Sequence, residues 1–258
     1  MTNQSVRPRV AASTTTSMKT PSQALAAVAL VVALAVGCNT ADSSPANSGG
    51  SSATPTKATP AASATQTAKT PTDSISAAAD RGRIQGNPQA ALWFVEASDF
   101  QCPFCKTWHD SAYKPLVNEY VRTGKVRMAY LNYPLNQHKN ALPAAEAAMC
   151  ASVQDKFWPM HDRLFDSQQK WEALPNAIPM FDSLAAALGV SMPAWRTCME
   201  KHLTQPIIAA DMARSQTAGV RSTPTFFVGD QLLGGVQPYP YLRQMIEAQL
   251  AKRATIIR

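Results

Sequence analysis

Hydrophobic and polar positions along the chain change character three times. Residues 24–37, ALAAVALVVALAVG, are apolar or small and carry no charge. Residues 39–80 hold Ser, Thr, Ala, Pro and Gly with almost nothing to bury. From residue 81 the pattern becomes that of a folded domain of ordinary size, 81–258. The run 91–98, ALWFVEAS, predicts a buried strand with one acid in it. In KTWHDSAYKPLVNEYVRTG (106–124), Trp108, Tyr113, Leu116, Tyr120 and Val121 recur at roughly helical spacing. A helix is predicted there, ended by Gly124 and open to a kink at Pro115. KVRMAYLNY (125–133) predicts a second strand, and residues 141–218 read as helices.

The first segment is not read as fold. Fourteen residues fall short of the ~20 that span a bilayer as a helix. They match the apolar region of a signal peptide, with Lys19 as the positive flank and Met18 a better start than Met1. The stretch ends in LAVGC (34–38), which resembles the lipobox of bacterial lipoproteins, although Ala35 stands where leucine is commonest. On that reading residues 1–38 are a lipoprotein-type signal peptide and Cys38 is lipidated, and more than one acyl chain on it would anchor the protein to a membrane. The alternative is an ordinary secretory signal with a chance cysteine; either exports the chain. Residues 39–80 cannot offset their own ordering entropy and are expected to be a disordered tether, with a root-mean-square reach of roughly 35 Å.

Charge narrows the partners. The chain has 24 Lys+Arg against 17 Asp+Glu, and removing residues 1–38 leaves 21 against 17. No dense basic run remains, so nucleic acid is not expected as a partner.

Five cysteines give an odd count, and lipidation of Cys38 leaves four. Cys102 and Cys105 form a CPFC motif; Cys150 and Cys198, 48 positions apart, are left over. In an oxidising compartment these two are expected to be bonded, the alternative being two buried free thiols that pack as small hydrophobes. A zinc site at CPFC needs a second closely spaced ligand pair, whereas His109, His138, His161 and His202 are scattered; no metal is expected. A purely structural Cys102–Cys105 bond closes too short a loop to stabilise much.

The remaining reading is a redox centre. Pro103 suits the first position of a helix, where a missing N–H costs nothing, so Cys102 falls at the helix N-terminus. Free amides and the helix dipole favour an anion there, and cysteine pKa values at such places drop from about 8.5 to between ~3.5 and ~7.5. A stabilised thiolate makes the pair a better oxidant. Cys105, one turn further in, suits the resolving role. Phe104 has no hydrogen bond to offer the sulfur. Asp99 is expected to cap or face solvent, and His109 to be non-catalytic.

GNPQAALWFVEASDFQCPFCKTWHD (86–110) and GVRSTPTFFVGDQLLGGVQPYPYLRQMIEAQL (219–250) together resemble the DsbA-like thiol-disulfide oxidoreductases of the thioredoxin superfamily. The resemblance spans about residues 84–252 and implies an α/β thioredoxin fold with a helical insertion at about 141–218. It implies a cis bond before Pro224, lying beside the CPFC motif, and an exposed Thr223 backbone that pairs with an extended substrate, with Pro103 and Phe104 also at the substrate surface. Gly229-Asp230 would turn a hairpin between TFFV and QLLG, followed by a last helix. Glu96 would lie buried under the site and accept the proton leaving Cys105; the alternative is a strand-edge surface glutamate. No cofactor is implied. The implied activity is introduction of disulfides into secreted or envelope proteins, by a monomer anchored through Cys38 in the periplasm or cell envelope. Its partners would be reduced or unfolded exported proteins and a membrane reoxidase or reductant. The alternatives are a reductase or isomerase, a module binding a soft ion such as copper at Cys102 and Cys105, and a lipoprotein that merely keeps the fold.

Overall fold

The computed structural model describes residues 71–256, all within one unit, Ser63–Arg258. The expected signal peptide, Cys38 and most of the expected tether lie outside the described residues. Among those described, no helix is long and apolar enough to cross a membrane.

Five strands form one sheet in the order β1-β3-β2-β4-β5: β1 Ile84–Gln85, β2 Leu92–Ser98, β3 Val126–Asn132, β4 Thr225–Val228 and β5 Gln231–Gly234. β2 and β3 are parallel; the other pairings are antiparallel. The β4–β5 hairpin turns on Gly229-Asp230, with Gly229 at φ 62°. A side chain there would be strained by that φ and would also strike Gln249 Oε1 at 2.5 Å.

Alternation along β2 puts Leu92, Phe94, Glu96 and Ser98 on one face. The register sets Phe94 against Met128 and Val228, and Glu96 against Tyr130 and Phe226. That face is covered by the helix that follows β2, α2 (103–121), and by the last helix, α9 (Tyr239–Ile256), through Trp108, Leu116, Tyr120, Leu242 and Ile246. Each such side chain, fully withdrawn from water, contributes about 1.5–3 kcal/mol. The opposite face, at Ala97 and Phe227, packs on Val220 and on Met212 of α8 (Gln205–Thr217). α2 is α-helical over Pro103–Trp108 and Lys114–Leu116 but widens to π geometry at His109–Tyr113 and Val117–Val121. Pro115 explains the break from regular α geometry: it has no N–H, and its ring crowds the carbonyl one turn back.

Between β3 and α8 lie α3 (Ala141–Ser152), α4 (Phe157–Asp166), the short α5 (Gln168–Trp171), α6 (Ile178–Ala187) and α7 (Met192–Glu200). They form a second core that also takes in Phe100, Cys102, Cys105 and Tyr130. The segment expected to be an insertion is therefore mostly helical, and its last helix, α8, packs on both sides, Ile208 on the second core and Met212 on the sheet. Pro206 in the first turn of α8 starts a new helix after α7 ends at Glu200.

One boundary is corrected. A helix, α1 (Pro71–Gly82), occupies the end of the stretch expected to be disordered, 39–80. Ala79 is fully buried, and its carbonyl accepts a hydrogen bond from Ser152 Oγ at 2.6 Å. The chain continues into Arg83, which is buried and paired with Asp80 and Asp211. Asp211 Oδ2 also accepts the Asn132 backbone and side-chain N–H groups, each at 3.0 Å. Burial of an ion pair is sustained only with such added hydrogen bonds. The low-complexity composition hides α1 because its buried residue among those described is an alanine, Ala79.

α3 and α7 are joined by a Cys150–Cys198 disulfide, with Cα atoms 5.8 Å apart. In the chain-entropy account, closing a loop with a separation of 48 residues stabilises by about 4 kcal/mol. A Cys150→Ala/Cys198→Ala variant is expected to melt lower than wild type yet oxidise a model dithiol peptide at the wild-type rate. Normal folding with lost activity would instead make the pair a second redox relay.

Candidate functional site

The CPFC motif sits where β2 hands the chain to α2. Asp99, Phe100 and Gln101 form the connecting turn, closed by Cys102 N–H donating to the Asp99 carbonyl at 3.1 Å. Cys102 caps the helix in an extended conformation, Pro103 occupies its first turn, and the Lys106 N–H bonds back to the Cys102 carbonyl at 3.1 Å. Cys102 and Cys105 are free thiols here. Cys102 is 3% exposed and Cys105 fully buried, whereas Phe104 stands 63% exposed beside them; Pro103 is exposed as well.

From the other end of the chain, the segment before β4 closes over the sulfur. The Thr223–Pro224 bond is cis, and the Cys102 Sγ lies 3.6 Å from the Thr223 carbonyl. All four residues that the sequence assigns to substrate contact, Pro103, Phe104, Thr223 and Pro224, thus flank Cys102 either directly in sequence or through this approach.

The two thiols titrate in opposite directions. Cys102 is lowered to about 6, chiefly by the Cys105 thiol donating toward its sulfur; burial opposes this, and Thr223 and the backbone N–H groups of Cys105 and Phe104 assist. The expectation placed the helix amides first, but they rank below the partner thiol. Cys105 is pushed well up, first by burial and then by the neighbouring Cys102. Such a pair loses its protons in two widely separated steps that belong to the couple as a whole.

Glu96 is buried, not a strand-edge surface residue. Its face of β2 is the one covered by α2, and it has no exposure at all. Neither carboxylate oxygen has a hydrogen-bond partner, and the surrounding Ser98 Oγ, Trp108 Nε1 and Tyr130 Oη also lack one. Burial lifts Glu96 to about 7; Trp108 and Ser98, although outside hydrogen-bond geometry, pull the other way. A carboxyl near 7 can both give and take a proton at neutral pH.

Asp99 neither faces solvent nor caps α2: it is 2% exposed, and the N-cap, Cys102, has no side-chain cap hydrogen bond. Its carboxylate accepts the Gln101 N–H at 2.7 Å and the Leu135 N–H at 2.9 Å, and meets His138 Nδ1 at 2.6 Å. Sequence reasoning missed the side chains that brace the turn from the insertion. Gln168 Nε2 donates to the Phe100 carbonyl at 2.7 Å and the Cys102 carbonyl at 3.1 Å. Gln101 Oε1 accepts the Asn140 N–H at 2.7 Å, while Asn140 Nδ2 donates to the Leu174 carbonyl at 2.9 Å. Gln168 stands in the polar run 166–170, DSQQK, so nothing in the sequence signals this role.

Replacing Glu96 isolates its titration. A carboxyl raised from 4.5 to about 7 stays protonated in the fold while the unfolded chain ionises. The fold therefore loses stability as pH rises from 4.5 to 7, and the loss persists above it. Glu96→Gln is expected to melt like wild type at pH 4 and to be more stable above pH 7, by on the order of 3 kcal/mol. Equal gains at pH 4 and pH 8 in thermal melts would show that no such titration occurs.

Comparison with known proteins adds the lineage of this geometry. A thioredoxin family model matches residues 78–248. The chain is 22% identical over 172 residues to disulfide bond formation protein D of Bacillus subtilis, covering 65% of this chain and 76% of that protein. It is 26% identical over 175 residues to a probable disulfide bond formation protein D of Bacillus anthracis, covering 65% and 77%. Among solved structures, oxidised BdbD from Bacillus subtilis superposes with a TM-score of 0.61 at 23% identity, over 66% of this chain and 94% of that one.

Proposed function

The chain belongs to the thioredoxin family, as a DsbA-like thiol-disulfide oxidoreductase, and from that premise we propose that it is an exported oxidase that introduces disulfides through Cys102 and Cys105. The observation that carries this is the opposite displacement of the two thiols, Cys102 downward and Cys105 upward.

The steps follow from it. With Cys102 and Cys105 bonded, a substrate thiolate attacks the Cys102 sulfur. The Cys102–Cys105 bond breaks, and Cys105 leaves with the electron pair. Its high proton affinity draws a proton, and the buried Glu96 carboxyl is the group suited to supply it. The substrate's second thiolate then attacks its own sulfur in the mixed disulfide, and Cys102 departs as a thiolate that is stable at neutral pH. A low leaving-group pKa speeds this release. The substrate is oxidised by two electrons, which now reside in the Cys102–Cys105 dithiol. A membrane reoxidase must remove them, and Glu96 takes back the Cys105 proton in that step.

An extended, reduced substrate suits the surroundings of Cys102. Phe104 offers an exposed apolar contact, and the Thr223 backbone beside the sulfur can pair with an added strand. Export and anchoring rest on the sequence: the apolar run 24–37, Cys38 as the lipidation site, and the tether that follows, now ending at about residue 70. A protein held this way works at the cell envelope on chains as they emerge.

The order of attack is checked by trapping. Cys105→Ser, oxidised as a mixed disulfide with a small thiol and then given a reduced unfolded protein, is expected to accumulate a covalent adduct at Cys102. Cys102→Ser is expected to form none and to lose at least a thousandfold in peptide oxidation. Adducts that map to Cys105 in the Cys102→Ser variant would reverse the assignment.

A further inference from the structure

Away from the two cysteines, three potential ligands converge between α2 and the insertion. His109 lies at the start of the first π segment of α2, and His161 and Asp162 lie on α4. We propose that His109, His161 and Asp162 form a binding site for a divalent transition-metal ion of the zinc type. One ligand atom from each lies within 4.8 Å of the others. His161 Nδ1 is 2.9 Å from Asp162 Oδ1, and His109 Nε2 is 3.4 Å from the same oxygen. Zinc bonds nitrogen and oxygen at about 2.05 Å, so two ligands subtending about 90–110° are roughly 2.9–3.4 Å apart. The two separations fall in that window.

The surroundings suit a metal as well. His161 is almost fully buried, and its Nδ1 is held against Asp162 rather than turned to solvent. His109 Nδ1 is 3.2 Å from Asp110 Oδ1, which fixes the ring with Nε2 toward Asp162. A carboxylate on the far nitrogen of a ligating histidine is the usual supporting contact in metal sites. A cation on the Nε2 side would lie between His109 and the Asp162 carboxylate. Open coordination positions have somewhere to point: Asp162 lines a cavity of about 500 Å³ shared with Gln85, Tyr113 and Trp158. A bound ion would pin the irregular part of α2 to the insertion, two units otherwise held here by ring contacts such as His109 on Phe165 at 5.0 Å between centroids.

Zinc itself is the probe, in the full chain carrying Cys38→Ser, with Cys102–Cys105 oxidised so that no thiolate competes. After chelation and dialysis, calorimetric titration with zinc is expected to show one site per chain and an upward shift in melting temperature. Cobalt should give the visible bands of a low-symmetry N/O site. Asp162→Asn, at a half-exposed side chain that the fold does not require, is expected to weaken zinc at least tenfold, and His109→Gln at least as much. Absence of a one-to-one site in the parent chain, or unchanged affinity in folded Asp162→Asn and His109→Gln, would overturn the proposal and leave the three residues as a hydrogen-bonded cluster.

Discussion

A buried thiol leaning on its neighbour governs this site. Cys105 donates toward the Cys102 sulfur, and that contact outranks the helix amides in holding Cys102 near 6. Because the stabilised species is the thiolate of the dithiol, the effect favours the reduced pair and makes its disulfide a stronger oxidant. The gain depends on pH. With a drop from 9.0 to about 6, the stabilisation is fully present only above pH 9 and is lost as pH falls through 6. At pH 7 it amounts to about 1.4 kcal/mol, or about 30 mV for the two-electron couple.

The rest of the fold keeps that contact in place. β2 delivers the turn, α2 starts at Pro103, and the segment before β4 brings Thr223 to the sulfur. The insertion does more than widen the protein: Gln168 holds the Phe100 and Cys102 carbonyls and the Asn140 N–H holds the Gln101 side chain, so the loop is braced by residues far away in sequence. The same face of the sheet carries a cost. Glu96 is buried among polar atoms that have no partners, a placement that destabilises the fold above pH 7. Unsatisfied buried groups of this kind collect at functional sites, and here the cost yields a carboxyl that can gain or lose a proton near neutral pH.

Much of this could be read from the sequence. The two long strands came from apolar runs, the start of α2 from Cys-Pro, and the pairing of Cys150 with Cys198 from the odd cysteine count once Cys38 is set aside. The resemblance placed Pro224 beside Cys102. What escaped has physical reasons. β1 is two residues long, too short for any alternation. α1 buries an alanine, Ala79, which looks like linker. The π segments of α2 leave hydrophobic spacing nearly helical. Asp99 reads as a surface cap because its partners, Leu135 and His138, come from another loop. His109 and His161 read as scattered because only the packing of α4 on α2 brings them together.

The central claim is that Cys102 is a thiolate at neutral pH while Cys105 holds its proton, and the pH dependence of the reduction potential tests it most directly. Equilibrating the Cys102–Cys105 couple with glutathione from pH 5 to pH 8.5 gives the number of protons taken up with two electrons. The account predicts a slope of about 59 mV per pH unit at the acid end, falling to about 30 mV per unit above a break near pH 6. A single slope of about 59 mV per unit through pH 8 would mean that both thiols keep their protons, and would contradict it.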